Sequence, residues 1–357
     1  MSRMKYVILN VVRNLSYSAA LCSLLFMLLM ASCEHRPLLE LSERRFVRVY
    51  LDEHIKNVSY GFYDENRQGT DYTTPKVLRI GFYNHLSGRQ MYEGYLQKAG
   101  SDERGNYVEG FIPAFEGKYS MLVSRFDNTS TYLRNESRYS EAQAYAKSVS
   151  DGIIQSLSSL QDASRSEGSI LNQPNHFFVK SSETINLHKS AVVDTLRDDN
   201  GDFFTAKSVV KTYYLQVNVK GAEYVSSASG YLTGLAGSVN LANQTLNEED
   251  VSSIFFQLKS DHMSKRSEVS QAYTTFHTFG KIPSAEGILT VVFEFKTKYG
   301  TTQVEKIELG DLFETDMVKN EQWIIIDKII EIIPDSQNSG MQPSVGDWGQ
   351  IDGDITI

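Results

Sequence analysis

Apolar and polar residues alternate with period two through most of this chain. In Val77–Phe82 the apolar Leu78, Ile80 and Phe82 share one face, so this strand is expected to bury one face only. Similar segments are bounded by Gly, Asn, Asp and Ser, which favour turns. The predicted strands are Phe46–Leu51, Val58–Tyr63, Val77–Tyr83, Gln90–Leu96, Tyr107–Ile112, Lys118–Ser124, His176–Lys180, Thr184–Leu187, Val209–Lys220, Val225–Thr233, Ile254–Lys259, Ala272–Phe279, Leu289–Lys298, Thr302–Leu309 and Trp323–Ile333. The fold class is therefore predicted to be all-β.

Two segments depart from simple alternation. Over residues 140–160, apolar residues recur every three or four positions behind a capping box at Ser140, which predicts one amphipathic helix on the N-terminal domain. Ile324–Ile333 is apolar on both faces, which predicts a strand at the centre of a sandwich. A linker, Pro334–Gly346, is rich in Ser, Gln, Asn, Gly and Pro, and it precedes the apolar residues of Trp348–Ile357.

The amino terminus has the layout of a bacterial lipoprotein signal peptide. Three basic residues precede an apolar run from Leu21 to Met30, which Ala31-Ser32-Cys33 closes. The run is too short for a membrane-spanning helix, which needs roughly 20 residues. We therefore expect cleavage before Cys33, lipidation of Cys33 with acyl chains such as palmitate, and a location in the cell envelope. The alternative is a retained transmembrane helix or a soluble chain with an apolar start.

Chain length and turn signals predict the domain organisation. Beyond the signal peptide about 325 residues remain, which suggests two domains of roughly 100–200 residues. The turn-rich stretch Asp198–Asp202 puts the boundary near residue 200. The predicted division is a signal peptide at 1–32, an N-terminal β-sandwich domain at 33–200, a C-terminal β-sandwich domain at 201–334, and a flexible linker and C-terminal strand at 335–357.

Composition and motifs favour neither catalysis nor metal binding. The formal net charge of −9 argues against nucleic acid as a partner. Apart from Cys33 the only cysteine is Cys22, inside the predicted signal peptide, so no disulfide or thiolate site is expected. The seven histidines lack metal-site spacing, and no nucleophile elbow, Walker or dinucleotide motif occurs. The spacing of Asp198, Asn200 and Asp202 suits calcium, but the Gly and Glu of such a loop are missing.

We therefore predict no enzyme, no cofactor and no metal. The paired carboxylates of a glycosidase remain an open alternative, because such partners can lie far apart in the chain. Tyr and Phe at period two are more often core than a sugar-stacking surface.

Several features together resemble the fimbrillin-like lipoproteins of Bacteroidota, a group that includes type V pilus subunits and anchors. These are the lipobox at Cys33, the two β-rich halves, the segment Tyr213–Gly221 running into Ser226–Ser238, and the tail from Trp348. The resemblance implies two transthyretin-like β-sandwiches with Greek-key connections, displayed on the cell surface through the N-terminal lipid. It implies a structural or adhesive component of fimbriae, with other pilus subunits as partners.

Subunits of this family assemble by β-strand donation, in which a neighbour's strand fills the groove left by a missing edge strand. The resemblance and the sequence together suggest a candidate donor strand. Ile355 and Ile357 would project to one side, and the linker before them could span a gap between subunits. The candidate donor residues are Trp348, Ile351, Ile355 and Ile357. This segment could instead pair within its own domain.

In the family's structural subunits an arginine-specific protease removes the lipid and the first strand. Arg44, Arg45 or Arg48 could serve as that site, although basic residues before a strand also protect sheet edges. The family's anchors keep the lipid and the first strand, so the sequence leaves anchor, stalk and tip roles open, together with release into fimbriae. The alternative function is a monomeric glycan-binding lipoprotein that stacks Tyr or Trp on a host or bacterial surface ligand.

Overall fold

The computed structural model describes residues 44–53, 73–160, 169–189, 194–261, 268–285 and 289–333, which all fall within one compact unit, Ser42–Ile357. Several predictions lie outside these residues: the signal peptide at 1–32, lipidation of Cys33, the strand Val58–Tyr63, the linker Pro334–Gly346, and the candidate donor strand with Trp348, Ile351, Ile355 and Ile357.

The described residues are mostly in β-strands. The first twelve strands are β1 (Arg44–Asp52), β2 (Leu78–Asn84), β3 (Gln90–Leu96), β4 (Lys98–Asp102), β5 (Gly105–Pro113), β6 (Gly117–Arg125), β7 (Thr131–Arg134), β8 (Gln143–Ala146), β9 (Ser169–Leu171), β10 (Phe178–Leu187), β11 (Asp194–Thr195) and β12 (Phe204–Ser208). The remaining strands are β13 (Lys211–Lys220), β14 (Val225–Ala236), β15 (Ser238–Asn240), β16 (Val251–Gln257), β17 (Lys259–Asp261), β18 (Val269–Thr278), β19 (Thr290–Thr297), β20 (Thr302–Glu308) and β21 (Trp323–Glu331).

Helices are few and short. The α-helix α1 (Asp151–Ser156) is followed by further α-helical residues at 158–160. Short 3-10 turns and one π-helical turn lie at Tyr139–Glu141, Ala222–Tyr224, Pro283–Ala285, Gly310–Glu314 and Met317–Glu321. Within the described ranges, no helix combines the length and the apolar character needed to cross a membrane. The predicted all-β fold class is confirmed. The predicted strands His176–Lys180 and Thr184–Leu187 are one continuous strand, β10. Each of the other predicted strands in the described ranges is present, with ends shifted by up to three residues.

The nine-stranded sheet curls so that β3 comes close to β5. Its order is β3-β2-β6-β10-β12-β1-β5-β4, and β11 also pairs with β1. A Cβ added to Gly94 would lie 2.6 Å from Cγ2 of Ile112, so the two strands approach closely enough to require glycine. The enclosed core takes three side chains each from β1 and β2, namely Val47, Val49, Leu51, Leu78, Ile80 and Phe82.

Two further sheets pack face to face in the second half of the chain. One has the order β17-β18-β13-β21 and the other has the order β20-β19-β14-β16-β9. Large apolar side chains fill the space between them; the rings of Phe256 and Phe276, from opposite sheets, stack with centroids 5.5 Å apart. This face-to-face arrangement is that of a β-sandwich.

The two halves share buried contacts. A small sheet has the order β15-β8-β7, and β9 pairs in parallel with β16. One hydrophobic cluster includes Tyr83 and Leu122 of the nine-stranded sheet together with Leu235 and Phe256 of the five-stranded sheet. Strand pairing therefore crosses the boundary predicted near residue 200, and the domain ranges remain a prediction.

The amphipathic helix predicted over residues 140–160 is wrong in extent and in position. Residues 143–146 form β8, because their backbone pairs with β7 on one side and β15 on the other. Within residues 140–160, α1 and residues 158–160 are α-helical, and the buried Ile153 of α1 packs with Tyr231 and Phe255 of the five-stranded sheet rather than with the N-terminal core. Tertiary strand pairing overrides the local helical period here.

The central position predicted for the strand over Ile324–Ile333 is also wrong. Among the described residues, β21 pairs only with β13 and lies at the end of its sheet. Its two-sided apolar character has another cause. Ile324 is buried in the sandwich core, whereas Ile325 packs with Tyr214 and Trp323 on the outer face of the same sheet.

Candidate assembly site

The candidate assembly site is β1, the first strand that the structure describes. Its alternating side chains divide cleanly between two faces: Val47, Val49 and Leu51 are buried in the core, and Phe46 and Arg48 point to the opposite face. Period two in the sequence therefore produces a strand that contributes to the core along its whole length.

Both edges of β1 are paired. The strand runs antiparallel to β5 from Arg44 to Tyr50, and it runs parallel to β11 at Arg45 and Phe46 and to β12 at Val49–Asp52. Backbone hydrogen bonds on two sides hold a strand far more firmly than those on one side. A protease or a competing strand would have to break both ladders.

The side chain of Arg45 is almost fully buried, with 1% of its surface exposed. Its Nη1 donates to Oδ2 of Asp194 at 3.2 Å, and its Nη2 donates to the carbonyl oxygen of His188 at 2.6 Å. A buried guanidinium is retained only where charged and hydrogen-bonding partners offset its desolvation. These contacts fasten the start of β1 to the chain around β11.

Arg48 lies on the opposite face of β1, where it binds the facing strand. Its Nε and Nη2 both donate to Oε2 of Glu109 on β5, at 2.8 and 2.6 Å, and its guanidinium carbon lies 4.0 Å from the ring centroid of Tyr107. Burial alone would raise the pKa of Glu109, but hydrogen bonds from Lys98 and Arg48 lower the pKa below its ordinary value. The carboxylate of Glu109 therefore stays charged and keeps its ion pair with Arg48 of β1.

Cross-strand aromatic contacts complete this face. The rings of Phe46 and Phe111 have centroids 5.3 Å apart, and those of Tyr50 and Tyr107 are 5.6 Å apart. The hydroxyl group of Tyr50 donates to Asp102 at 2.7 Å. Pairs of this kind stabilise a sheet at directly opposed positions, so β1 and β5 form one tightly joined unit.

The three candidate processing residues thus occupy different environments. Arg44 is exposed at the start of β1, Arg45 is buried, and Arg48 is 22% exposed. None of the three lies in an exposed loop of the described chain. Processing at these residues stays a prediction.

Beside β1 the nine-stranded sheet opens into a groove. β10 pairs with β12 only at Phe178 and Val179, and the rest of β10 diverges from β11 and β12. The resulting cavity of about 670 Å³ lies between residues 180–186 and residues 194–200. Backbone groups on this side of β10 therefore face a cleft instead of a neighbouring described strand.

A buried polar cluster joins the two halves of the molecule. Oγ1 of Thr212 lies 3.1 Å from Nε2 of His176 and 2.9 Å from Nδ1 of His277, and the two imidazole rings are 4.8 Å apart. Nη1 of Arg125 donates to the carbonyl oxygen of His176 at 3.0 Å. Sequence reasoning missed this cluster, because its members are 36 and 65 positions apart and match no short motif.

His176 is held neutral in this cluster. Burial, and then the positive fields of His277 and Arg125, lower its pKa from 6.5 to about 3. Its exposed fraction is 3%, so the imidazole is not accessible to a substrate. The cluster is a joint between sheets.

Nothing in the described residues forms a metal centre. No group of three or more His, Cys, Asp and Glu residues in these ranges could hold an ion. At the turn that has calcium-loop spacing, Oδ1 of Asp198 instead accepts the backbone N–H groups of Asn200 and Asp202, at 3.0 and 2.9 Å. This hydrogen-bonded turn uses the carboxylate to satisfy the backbone.

A known family and a curated protein both match parts of this chain. Residues 62–256, more than half of the chain, match a family described as Domain of unknown function (DUF5119). A protein of Bacteroides ovatus that is provisionally named fimbrium anchoring subunit Fim4B is 25% identical over 162 residues, which are 45% of this chain and 41% of that protein. The chain thus spans less than half the length of this curated relative.

One of the solved structures that resemble this chain shows a shared fold. The crystal structure of a provisionally assigned adhesin from Bacteroides ovatus has 19% sequence identity and a TM-score of 0.53, covering 83% of this chain and 97% of that one. The fimbrial anchor protein Mfa2 from Porphyromonas gingivalis is a more distant likeness, with 11% identity and a TM-score of 0.42 over 81% of this chain and 90% of that one. The predicted resemblance to fimbrial proteins of Bacteroidota is confirmed. With a family match over more than half of its residues, this chain belongs to the family described as Domain of unknown function (DUF5119).

Proposed function

We propose that this chain is an anchor-type component of a cell-surface fimbria, which keeps β1 and is held at the outer membrane by lipid on Cys33. The observation that carries the proposal is the position of β1. Val47, Val49 and Leu51 fill the core while both strand edges are paired. A subunit built to lose its first strand needs that strand to be releasable. Here Arg45 and Arg48 fasten it by side-chain contacts on both faces of the sheet.

The opposite end of the chain supplies the link to the neighbouring subunit. The chain leaves β21 at Glu331, and a Ser- and Gly-rich linker separates this point from Trp348–Ile357. A strand on such a tether can reach a groove in another subunit and add to its sheet. Because β1 fills its own position, the chain donates a strand without accepting one and so ends the polymer at the membrane.

This role acts through binding, not catalysis. The named relative and the adhesin of similar fold carry fimbrial and adhesion names. His176, whose pKa is lowered to about 3 chiefly by burial, belongs to a buried polar cluster instead of an open cleft.

The first test is the amino-terminal residue and intact mass of the protein taken from cell envelopes and from sheared filaments. We expect an acylated Cys33 in the envelope fraction and no chain that begins at Phe46 or Val49. A chain that begins at Phe46 or Val49 and is recovered in filaments would contradict the anchor role and indicate a processed subunit.

The second test concerns the donor strand. Ile355→Asp combined with Ile357→Asp would place charges on the face that is expected to enter the neighbour's groove. We expect these substitutions to prevent incorporation into filaments and to leave the thermal unfolding temperature unchanged. Thr356→Asp is the matched control, since alternate residues of a strand face opposite sides. Normal incorporation of the double variant would exclude strand donation by this segment.

A further inference from the structure

The outer face of β3 carries an unusual set of exposed side chains. Met91 and Tyr95 alternate outward with exposed fractions of 50% and 37%, and Glu93 lies between them. Tyr92, which lies between Met91 and Glu93, and Leu96, which ends the strand, pack on the core. β3 therefore presents a mixed apolar and polar row to solvent along its length.

At one end of this row two aromatic rings form an open platform. Phe126, which is 51% exposed, pairs with Tyr95 at a centroid distance of 4.9 Å and an interplanar angle of 66°. Aromatic pairs in a protein core are covered by other side chains, whereas this pair keeps much of its surface in water. The platform offers π faces to the flat C–H faces of a sugar ring.

Fixed polar groups occupy the middle of the row. Nη2 of Arg79 donates to Oε2 of Glu93 at 2.7 Å, and Nη1 of Arg79 donates to Glu136. Nε2 of Gln90 donates to the same Glu93 oxygen at 2.9 Å. Hydrogen bonding by Arg79 lowers the pKa of Glu93, so the carboxylate stays charged and oriented. Planar groups held in this way are pre-organised to bind hydroxyl groups beside a stacked ring.

Toward the Gln90 end of the row lies a depression of about 670 Å³ that is lined by two arginines, Arg89 and Arg138, and also by Gln90, Met91, Tyr92, Glu93 and Ser137. Arg89 and Arg138 face each other in an antiparallel bridge, which opposes two positive charges across the strands. Like charges in this position destabilise a sheet. Arg138 contacts Glu141 at 3.5 Å, but no described carboxylate lies within 4 Å of the Arg89 guanidinium. An anion bound here would relieve the repulsion.

We propose that this row, the β3 face, binds an acidic oligosaccharide, with one sugar ring stacked on Tyr95 and Phe126 and a carboxylate or sulfate group held by Arg89 and Arg138. From Gln90 to Tyr95 the strand extends about 17 Å, so the ligand is a chain of several sugars and not a monosaccharide. The few exposed apolar side chains are far fewer than a stable protein interface requires, which buries about 800 Å² on each partner.

The test uses the purified chain and a microarray of carboxylated, sulfated and neutral oligosaccharides, followed by calorimetric titration with an oligogalacturonate hexamer, a chondroitin sulfate hexamer and neutral maltohexaose. We expect binding to acidic oligosaccharides that weakens as salt increases, and no comparable binding to maltohexaose. Tyr95→Ala combined with Phe126→Ala is expected to weaken binding at least tenfold. Arg89→Ala combined with Arg138→Ala is expected to weaken binding equally and to remove its salt dependence.

Phe111→Ala is the matched control, because Phe111 is an aromatic residue that is 57% exposed and packs on Phe46 of β1 instead of on the β3 face. We expect it to bind as the unaltered chain does, and a cooperative thermal unfolding transition above the assay temperature shows that each variant is folded. Absence of binding to every acidic oligosaccharide on the array would overturn the proposal, as would equal binding by all variants. Loss of filament incorporation in the folded variants without any sugar binding would instead assign the face to a protein partner. Incorporation by the unaltered chain is scored separately, so failure here leaves the anchor proposal intact.

Discussion

The polar cluster at His176 predicts that the free energy of unfolding falls in mild acid. The perturbation is a change of pH from 7 to 5, compared between the unaltered chain and His176→Gln. In the folded chain the His176 pKa is lowered to about 3 by burial and by the neighbouring His277 and Arg125, whereas the ordinary value is 6.5. Below pH 6.5 the His176 imidazole is therefore protonated in the unfolded chain, whereas in the folded chain it stays neutral until the pH approaches 3. Stability is complete above pH 6.5 and falls as the pH decreases through this window.

The size of the effect follows from the pKa difference. At pH 5 the unfolded imidazole is almost fully protonated and lies about 1.5 pH units below its pKa, so the loss is about 2 kcal/mol at 1.36 kcal/mol per unit. The structure explains why the folded state cannot adapt. The His176 ring contacts Thr212, Ser208 and His277, and the nearby His277 and Arg125 both disfavour a second positive charge on it.

The assay is urea denaturation at pH 7 and pH 5, from which the free energy of unfolding is extrapolated for both chains. We expect the unaltered chain to lose about 2 kcal/mol more than His176→Gln, since titrating groups that do not interact with His176 contribute equally to both. Each loss is measured within one chain, between pH 7 and pH 5. Comparing the two losses therefore cancels the change in stability that the substitution itself causes. Equal losses within about 0.5 kcal/mol would refute the argument that His176 is held neutral.

Three further predictions concern β1 and β21. Arg45→Ala should lower the free energy of unfolding by about 2–4 kcal/mol, because it removes two hydrogen bonds of a buried charge. Arg44→Ala should change the free energy of unfolding by less than about 0.5 kcal/mol. Urea denaturation midpoints measure both effects. Ile330→Ala should cost about 2–4 kcal/mol in the same assay and Ile329→Ala almost nothing, since their exposed fractions are 1% and 53%. An arginine-specific protease should cleave after Arg45 and Arg48 at least about a hundredfold more slowly in the folded chain than in a peptide of residues 40–53, as followed by mass spectrometry; comparable rates would contradict the burial of β1.

Period-two alternation located the strands because each one buries a face, but it could not establish which strands are neighbours. Ile325 illustrates this limit. Its apolar character suggested a central strand, yet it is explained by packing with Tyr214 and Trp323 on the outer face of a sheet-end strand. Residues 143–146 match a helical period and become β8, because pairing with β7 and β15 is a long-range effect.

The candidate sites show the same limit. The arginines of β1 were identified from their type and position, but burial of Arg45 depends on Asp194 and His188, which are more than 140 positions away in the chain. Arg89 and Arg138 likewise become a pair only when two distant turns meet in the fold. Local patterns predict elements, whereas the chemistry of a surface depends on contacts that no short window of sequence contains.

Burial of β1 also fixes the order of events for any processing of this strand. A protease needs an extended segment whose arginine side chain can enter its pocket, so β1 must leave the sheet before cleavage after Arg45 or Arg48. Exposing Val47, Val49 and Leu51 costs about 1.5–3 kcal/mol each, and the total approaches the 5–15 kcal/mol that stabilises a whole domain. Cleavage after folding would thus require near-global opening. Processing at these residues can be efficient only before the chain folds, and a chain that folds first keeps its first strand, as an anchor must.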